Sequence, residues 1–153
     1  MIFELTDGEN LELKTIVVDL NGSLSVYGKV PEGVHEQIQQ LKILGFRIVL
    51  LSGDVRGNAK IIADNLEIEL IVAKNSAEKE QAILGLEPET CVSIGNARID
   101  IGTFKQAKIS IVTVQAEGIH AEVLQYADIV VPSIGAALNL FLDKEAFIAT
   151  MRK

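Results

Sequence analysis

The sequence predicts an α/β domain of the three-layer, Rossmann-like kind, built on a central parallel sheet. Three observations carry this. Apolar residues are 48% of the 153-residue chain, yet aromatics are only 5% and Trp is absent. The core is therefore Ile, Val, Leu and Ala, the composition of strands buried on both faces. Short β-branched runs alternate with helix-period segments along the chain, the order of repeated strand–helix–strand units. No repeat, low-complexity tract or linker interrupts them, so residues 1–153 are expected to form a single domain.

Each element has its own justification. IFEL and LEL about the turn TDGEN read as a small hairpin. Thr15–Leu20 (TIVVDL) is the first buried strand, apolar on successive positions and closed by polar residues. Pro31 suits a first helical turn, Val34, Ile38 and Leu41 form one stripe, and Gly45 stops the helix. Phe46–Leu51 is the next strand, and Ala59, Ile62, Ala63 and Leu66 stripe the next helix. Glu69–Ala73 follows as a strand, then a helix capped by Ser76 and ending near Gly85. Cys91–Ile94, Lys108–Val114 and Asp128–Val131 complete the strands, with helices expected around Ile99–Gln106, Ile119–Gln125 and Ile134–Met151.

Composition excludes several function classes. Fourteen basic against 21 acidic side chains give a net charge of −7, the wrong sign for nucleic acid or an anionic membrane as partner. No apolar stretch approaches a membrane span, and the acidic N-terminal segment lacks the basic and apolar regions of a signal peptide. A cytoplasmic location is the expectation. The single Cys91 rules out a disulfide framework. His35 and His120 read as surface residues without metal-ligand spacing, which points away from zinc.

In a doubly wound sheet, ligands sit beyond the carboxyl ends of the strands. Those ends are polar here: Asp19-Leu20-Asn21-Gly22-Ser23, Ser52-Gly53-Asp54, Lys74-Asn75 and Gly95-Asn96. A carboxylate closing an apolar strand needs a compensating cation. Gly22 and Ser23 permit a sharp turn whose N–H groups can meet an anion. Ser52 and Gly53 at a helix start would combine hydroxyl, backbone N–H and dipole on a phosphate, unless Ser52 merely caps that helix. Lys79 and Asp100 each have an ordinary reading, as a solvated lysine and a capping aspartate. Together, a carboxylate nucleophile, a hydroxyl, a cation and a second carboxylate at one sheet edge suit phosphoryl transfer.

At these residues the chain resembles the haloacid dehalogenase superfamily, in particular the phosphorylation domain of P-type ATPases and its small soluble relatives. VVDLNGSL matches the first motif with Asp19 at the nucleophile position, and VLLSGD matches the second. The continuation from Ser52-Gly53-Asp54 through Ala59, Ile62-Ala63 and Leu66 to Ile68 follows the P-type pattern closely. Lys79 in SAEKEQAI falls on the motif lysine, with Lys74 as the alternative, and Gly95–Asp100 falls on the last motif. The resemblance runs from about Thr15 to Leu142 and leaves no room for a cap or nucleotide-binding insertion. Neither an ion pump nor a capped enzyme fits.

The resemblance implies magnesium-dependent hydrolysis of a phosphate monoester through an aspartyl-phosphate on Asp19. Asp19, the Asn21 main-chain carbonyl, and Asn96 or Asp100 would hold Mg2+. Gly22, Ser23, Ser52, Gly53 and Lys79 would hold the phosphoryl group, and Arg98 is a candidate substrate contact. Two departures set expectations for rate. Asn21 stands where family phosphatases carry a general acid, and Asn96 where they carry a magnesium-binding acid. Turnover is therefore expected to be slow; a catalytically weak or silent phosphate-binding regulatory module, and a phospho-acceptor domain working with another chain, are the alternatives. The expected partner is a phosphorylated small molecule or protein, with no nucleic acid or membrane, and a homo-oligomer would screen a capless site from water.

Overall fold

The computed structural model describes residues 1–153. The chain opens with an antiparallel hairpin of β1 (Ile2–Glu4) and β2 (Asn10–Glu12). β3 (Thr15–Val18), α1 (Val34–Ile43), β4 (Arg47–Ser52), α2 (Ala59–Leu66), β5 (Glu69–Val72) and α3 (Ser76–Leu84) then alternate. β6 (Cys91–Gly95), α4 (Ile101–Gln106), β7 (Ile109–Thr113), β8 (Ile129–Val131), α5 (Ile134–Leu142) and α6 (Lys144–Met151) complete the chain.

β3 to β8 form one parallel sheet in the order β5-β4-β3-β6-β7-β8. The chain winds outward from β3 in one direction, then crosses back to build the other half from β6. Ligand clefts in such sheets form where the winding reverses, here between β3 and β6. Thr15–Val18 lie in register with Cys91–Ile94, so Asp19 and the Gly95-Asn96 pair leave the sheet side by side.

Side chains alternate between the faces of the sheet. Ile16, Val18, Ile48 and Leu50 pack with α1, α2 and α5, while Val17, Val49 and Leu51 pack with Ile83 of α3 and Ala73. Phe104 of α4 meets Val112 and Val123 on that second side. Phe3 of the hairpin packs on Phe147 of α6 at 4.6 Å between centroids, and Phe141 joins both and Phe46. This aromatic cluster lies at the strands' amino ends, opposite the edge that carries the polar loops.

Five local expectations are corrected. Ile134–Met151 is two helices, because the Asp143 carboxylate accepts from Ala146 N (3.1 Å) and begins a new helix that turns Phe147 toward Phe3. The segment near Ile119–Gln125 is a 3₁₀ helix, Ala121–Tyr126, which buries only Val123. Asn75, in extended backbone, caps α3 by accepting from Glu78 N (2.9 Å), and Ser76 is the first helical residue. Pro31 precedes α1, which starts at Val34 after Gly33 in left-handed backbone. Finally, α2 starts only at Ala59, whose N–H is held by the Asp54 carboxylate (2.9 Å), so Ser52 neither begins nor caps that helix. No helix is long and apolar enough to cross a membrane.

Candidate active site

The end of β3 carries Asp19, whose side chain is 11% exposed, and Lys79 reaches it from α3. The Lys79 ammonium donates to Asp19 Oδ1 at 2.7 Å and to Asp100 Oδ1 at 2.9 Å. Lys79 and Asp100 are almost wholly enclosed, at 2% and 3% exposure. Asp100 Oδ2 accepts from Asn96 N (3.1 Å) and Ala97 N (3.0 Å), so both its oxygens are engaged. Asp100 thus fixes the lysine and the turn after β6 in one contact.

Two carboxylates sharing one ammonium leave one negative charge uncompensated in a poorly hydrated site. Burial first, and the Asp100 charge second, push Asp19 up to about 7 against the pull of Lys79. Burial pulls the Lys79 ammonium down, but the two carboxylates outweigh it and its pKa is raised. Lys79 therefore remains a cation.

Glycine sequence choices make room for this packing. Gly22 has φ +80°, and a Cβ there would lie 2.2 Å from Asn96 Nδ2. At Gly95 a Cβ would lie 2.5 Å from Asp100 Oδ2. Asn96 is buried against the first loop, where Nδ2 donates to the Gly118 carbonyl (2.9 Å) and Oδ1 receives the Ser23 hydroxyl (3.3 Å). Ser52, buried at the end of β4, accepts from Asp54 N (3.0 Å) and keeps its O–H for another acceptor. A Cβ on Gly53 would lie 3.3 Å from the Ala73 carbonyl, so this turn runs close beside the end of the neighbouring strand.

Asp19, Lys79, Asp100, Asn96, Gly22 and Ser23 thus come together in one contact network, with Ser52 and Gly53 on the adjacent strand end. Lys74 makes none of these side-chain contacts, although its backbone runs beside Gly53; with Arg98 it lines a cleft of about 510 Å³, and Arg98 is 76% exposed, 3.6 Å from Glu122. Burial pushes the Cys91 thiol up to about 11, which leaves it inert.

Sequence reasoning missed the rim. Asn21 Oδ1 accepts from Arg56 Nε (2.9 Å), and Arg56 Nη2 donates to Glu117 Oε1 (2.7 Å). Glu117 Oε2 also holds Tyr27 N (2.8 Å). Gln115 Nε2 donates to the Gly22 and Ser23 carbonyls (3.1 and 2.7 Å), and Thr113 Oγ1 also reaches Gly22 (3.1 Å). The signal was available: Gln115 and Glu117 follow β7 at the same carboxyl edge as the other site loops.

The Asp19 carboxylate, the Asn21 main-chain carbonyl and Asn96 Oδ1 are all oxygen donors, the class that suits a hard divalent cation. Of these only Asp19 is ionisable, and no group of three His, Cys, Asp or Glu residues suited to a metal exists in the chain. The donors fit a magnesium-type ion of low local charge, completed by water or substrate oxygens.

No protein-family model matches the chain. The chain is 26% identical over 138 residues to a soluble P-type ATPase-like phosphatase of Methanocaldococcus jannaschii, covering 87% of this chain and 50% of that protein. The chain thus spans half the length of this curated relative. Among solved structures, a cobalt-bound deoxy-D-mannose-octulosonate 8-phosphate phosphatase from Haemophilus influenzae superposes with a TM-score of 0.74 at 15% identity, over 92% of this chain and 93% of that one. A Moraxella catarrhalis 3-deoxy-D-manno-octulosonate 8-phosphate phosphatase, in complex with magnesium, phosphate and KDO, gives 0.71 at 21% identity over 90% and 92%. The chain shares the fold of these phosphatase structures and is similar in sequence to the soluble P-type ATPase-like phosphatase.

Proposed function

We propose that the chain hydrolyses phosphate monoesters, with Asp19 as nucleophile and magnesium as cofactor. The observation that carries this reading is the enclosed Lys79 ammonium held between Asp19 and Asp100 at the sheet's switch point. The phosphatase names of the sequence relative and the fold neighbours support it, as do the magnesium and phosphate in the Moraxella complex.

Asp19 attacks phosphorus and becomes an aspartyl-phosphate. Lys79, kept charged and oriented by Asp100, lies where phosphoryl oxygens gain negative charge, and the Ser52 hydroxyl donates to another of them. Gly53, Gly22 and Ser23 keep the flanking loops close around the phosphoryl group. When bound by Asp19, the Asn21 main-chain carbonyl and Asn96, magnesium supplies Lewis-acid neutralisation of phosphoryl charge. Asp100, whose two oxygens hold Lys79 and the turn after β6, would reach the ion through water. Asn21 donates a hydrogen bond but transfers no proton, so turnover is slow.

The protein works in the cytoplasm on a phosphorylated small molecule or protein, and a second copy screens the open site. The test is release of p-nitrophenol from p-nitrophenyl phosphate with and without magnesium. Magnesium-dependent release that disappears in Asp19→Asn is the expected result. A second reading, a phosphate-binding regulatory module, is favoured by the neutral Asn21 and Asn96. Tight phosphate binding without turnover would establish it instead.

A further inference from the structure

We propose that Arg56 and Asn21 form a leaving-group site that stabilises a departing oxyanion without protonating it, so that the substrates are phosphates of acidic leaving groups, acyl phosphates foremost. The inference rests on the Asp19 phosphatase reading and goes beyond it to the substrate class.

In an in-line displacement the leaving oxygen departs opposite the attacking oxygen. The inner side of Asp19 is filled by Lys79 and Asp100, at 2% and 3% exposure, whereas Arg56 at the rim is 41% exposed. The leaving group therefore exits outward, past Asn21 and Arg56. Arg56 is held there by design of the loops. Its Nε donates to Asn21 Oδ1 and its Nη2 to Glu117, a carboxylate only 14% exposed. Glu117 is in turn tied to Tyr27 N. The bond from Arg56 fixes the Asn21 amide with its oxygen toward the guanidinium and its Nδ2 donors free. Nη1 of Arg56 keeps both N–H groups available.

Neither group transfers a proton near neutral pH: an amide cannot, and a guanidinium stays charged. Both stabilise negative charge. In the first step the Asp19–phosphorus bond forms and the phosphorus–oxygen bond to the leaving group breaks. The electron pair stays on the departing oxygen, and no proton moves. In the second step water oxygen bonds to phosphorus, the bond from phosphorus to the Asp19 oxygen breaks with its electron pair returning to the carboxylate, and both water protons leave on the phosphate, released as H2PO4−. A carboxylate is a stable product of the first step; an alkoxide is not.

The test measures kcat and KM on acetyl, p-nitrophenyl, phenyl and glycerol phosphates for the wild type and Arg56→Gln, Arg56→Lys and Glu117→Gln. Wild type should prefer acetyl phosphate to glycerol phosphate by about 10²–10⁴-fold, the worth of a missing general acid. Loss of an oxyanion donor typically costs about 10²–10³ in kcat. Arg56→Gln should therefore lower kcat on phenyl phosphate about 10²-fold, lower it less on acetyl phosphate, and leave KM little changed. Arg56→Lys should recover part of the loss, and Glu117→Gln should show a smaller change in the same direction. Comparable wild-type rates on acetyl and glycerol phosphates would overturn the proposal. So would an Arg56→Gln that lowers all four substrates equally, the mark of a merely structural role. Turnover that survives Asp19→Asn, or its absence on every substrate, would instead overturn the phosphatase reading itself.

Discussion

At the residue scale the site is governed by how few charges it holds. Asp19, buried and beside Asp100, has a pKa raised to about 7. The sign follows from linkage: between its ordinary 3.8 and about 7 the folded protein keeps a proton that the unfolded chain releases. Stability of the metal-free protein therefore falls as pH rises through this window. Asp19→Asn should flatten the slope, read from urea unfolding at pH 5 and pH 8; an unchanged slope refutes the assignment. Asn21 supplies a second prediction. A carboxylate in its place would pair with Arg56, which donates to Asn21 Oδ1, and would stay ionised as a poor acid. Asn21→Asp alone should raise the glycerol phosphate rate little. Asn21→Asp combined with Arg56→Gln should raise it about 10²-fold or more, within the range of general acid catalysis. Equal rates for the single and double variants would show that Arg56 does not control the acid. Asp19, Ser52, Lys79 and Asp100 were legible because each sits next to an apolar run or helical stripe. Arg56 was not, since it looks like a solvated loop charge and its partner Glu117 lies 61 residues away.

At the scale of elements, the strands were legible and the short helices less so. A strand buried on both faces shows itself as a continuous β-branched run, as Thr15–Val18 and Ile109–Thr113 do. The C-terminal apolar stretch carried no such break, and Asp143 read as one more polar residue inside a helix. It is instead the cap that begins α6. Asp143→Ala should cost about 1 kcal/mol, the usual worth of an N-cap. Phe147 is fully buried against Phe3 and Phe141 at the far end of the sheet. Phe147→Ala should cost about 3–5 kcal/mol by urea unfolding, as large-to-small core changes do. The expected kcat of the surviving folded protein is that of the wild type. A reduced kcat at full folding would mean that the aromatic foot and the site are coupled.

At the scale of the whole molecule, one winding reversal brings distant sequence together: Asp19 from the first half of the sheet meets Asn96 and Asp100 from the second. The two halves are tied across this seam by parallel β3–β6 pairing, by the polar contacts of the site loops and by the core that α1 and α5 share. A cation that binds oxygens from both halves should therefore stabilise the domain as a whole, because the unfolded chain holds no such site. A ligand at 100 times its dissociation constant contributes about 2.7 kcal/mol to stability. A domain of this size shifts by about 2–4 °C per kcal/mol, so saturating magnesium should raise Tm by about 5–10 °C. Asp19→Asn removes the one ionisable ligand and should abolish most of the shift. Sodium chloride at equal ionic strength controls for screening of the net charge of −7. Equal magnesium shifts in the wild type and in Asp19→Asn would show that the ion acts on the acidic surface and not across the seam.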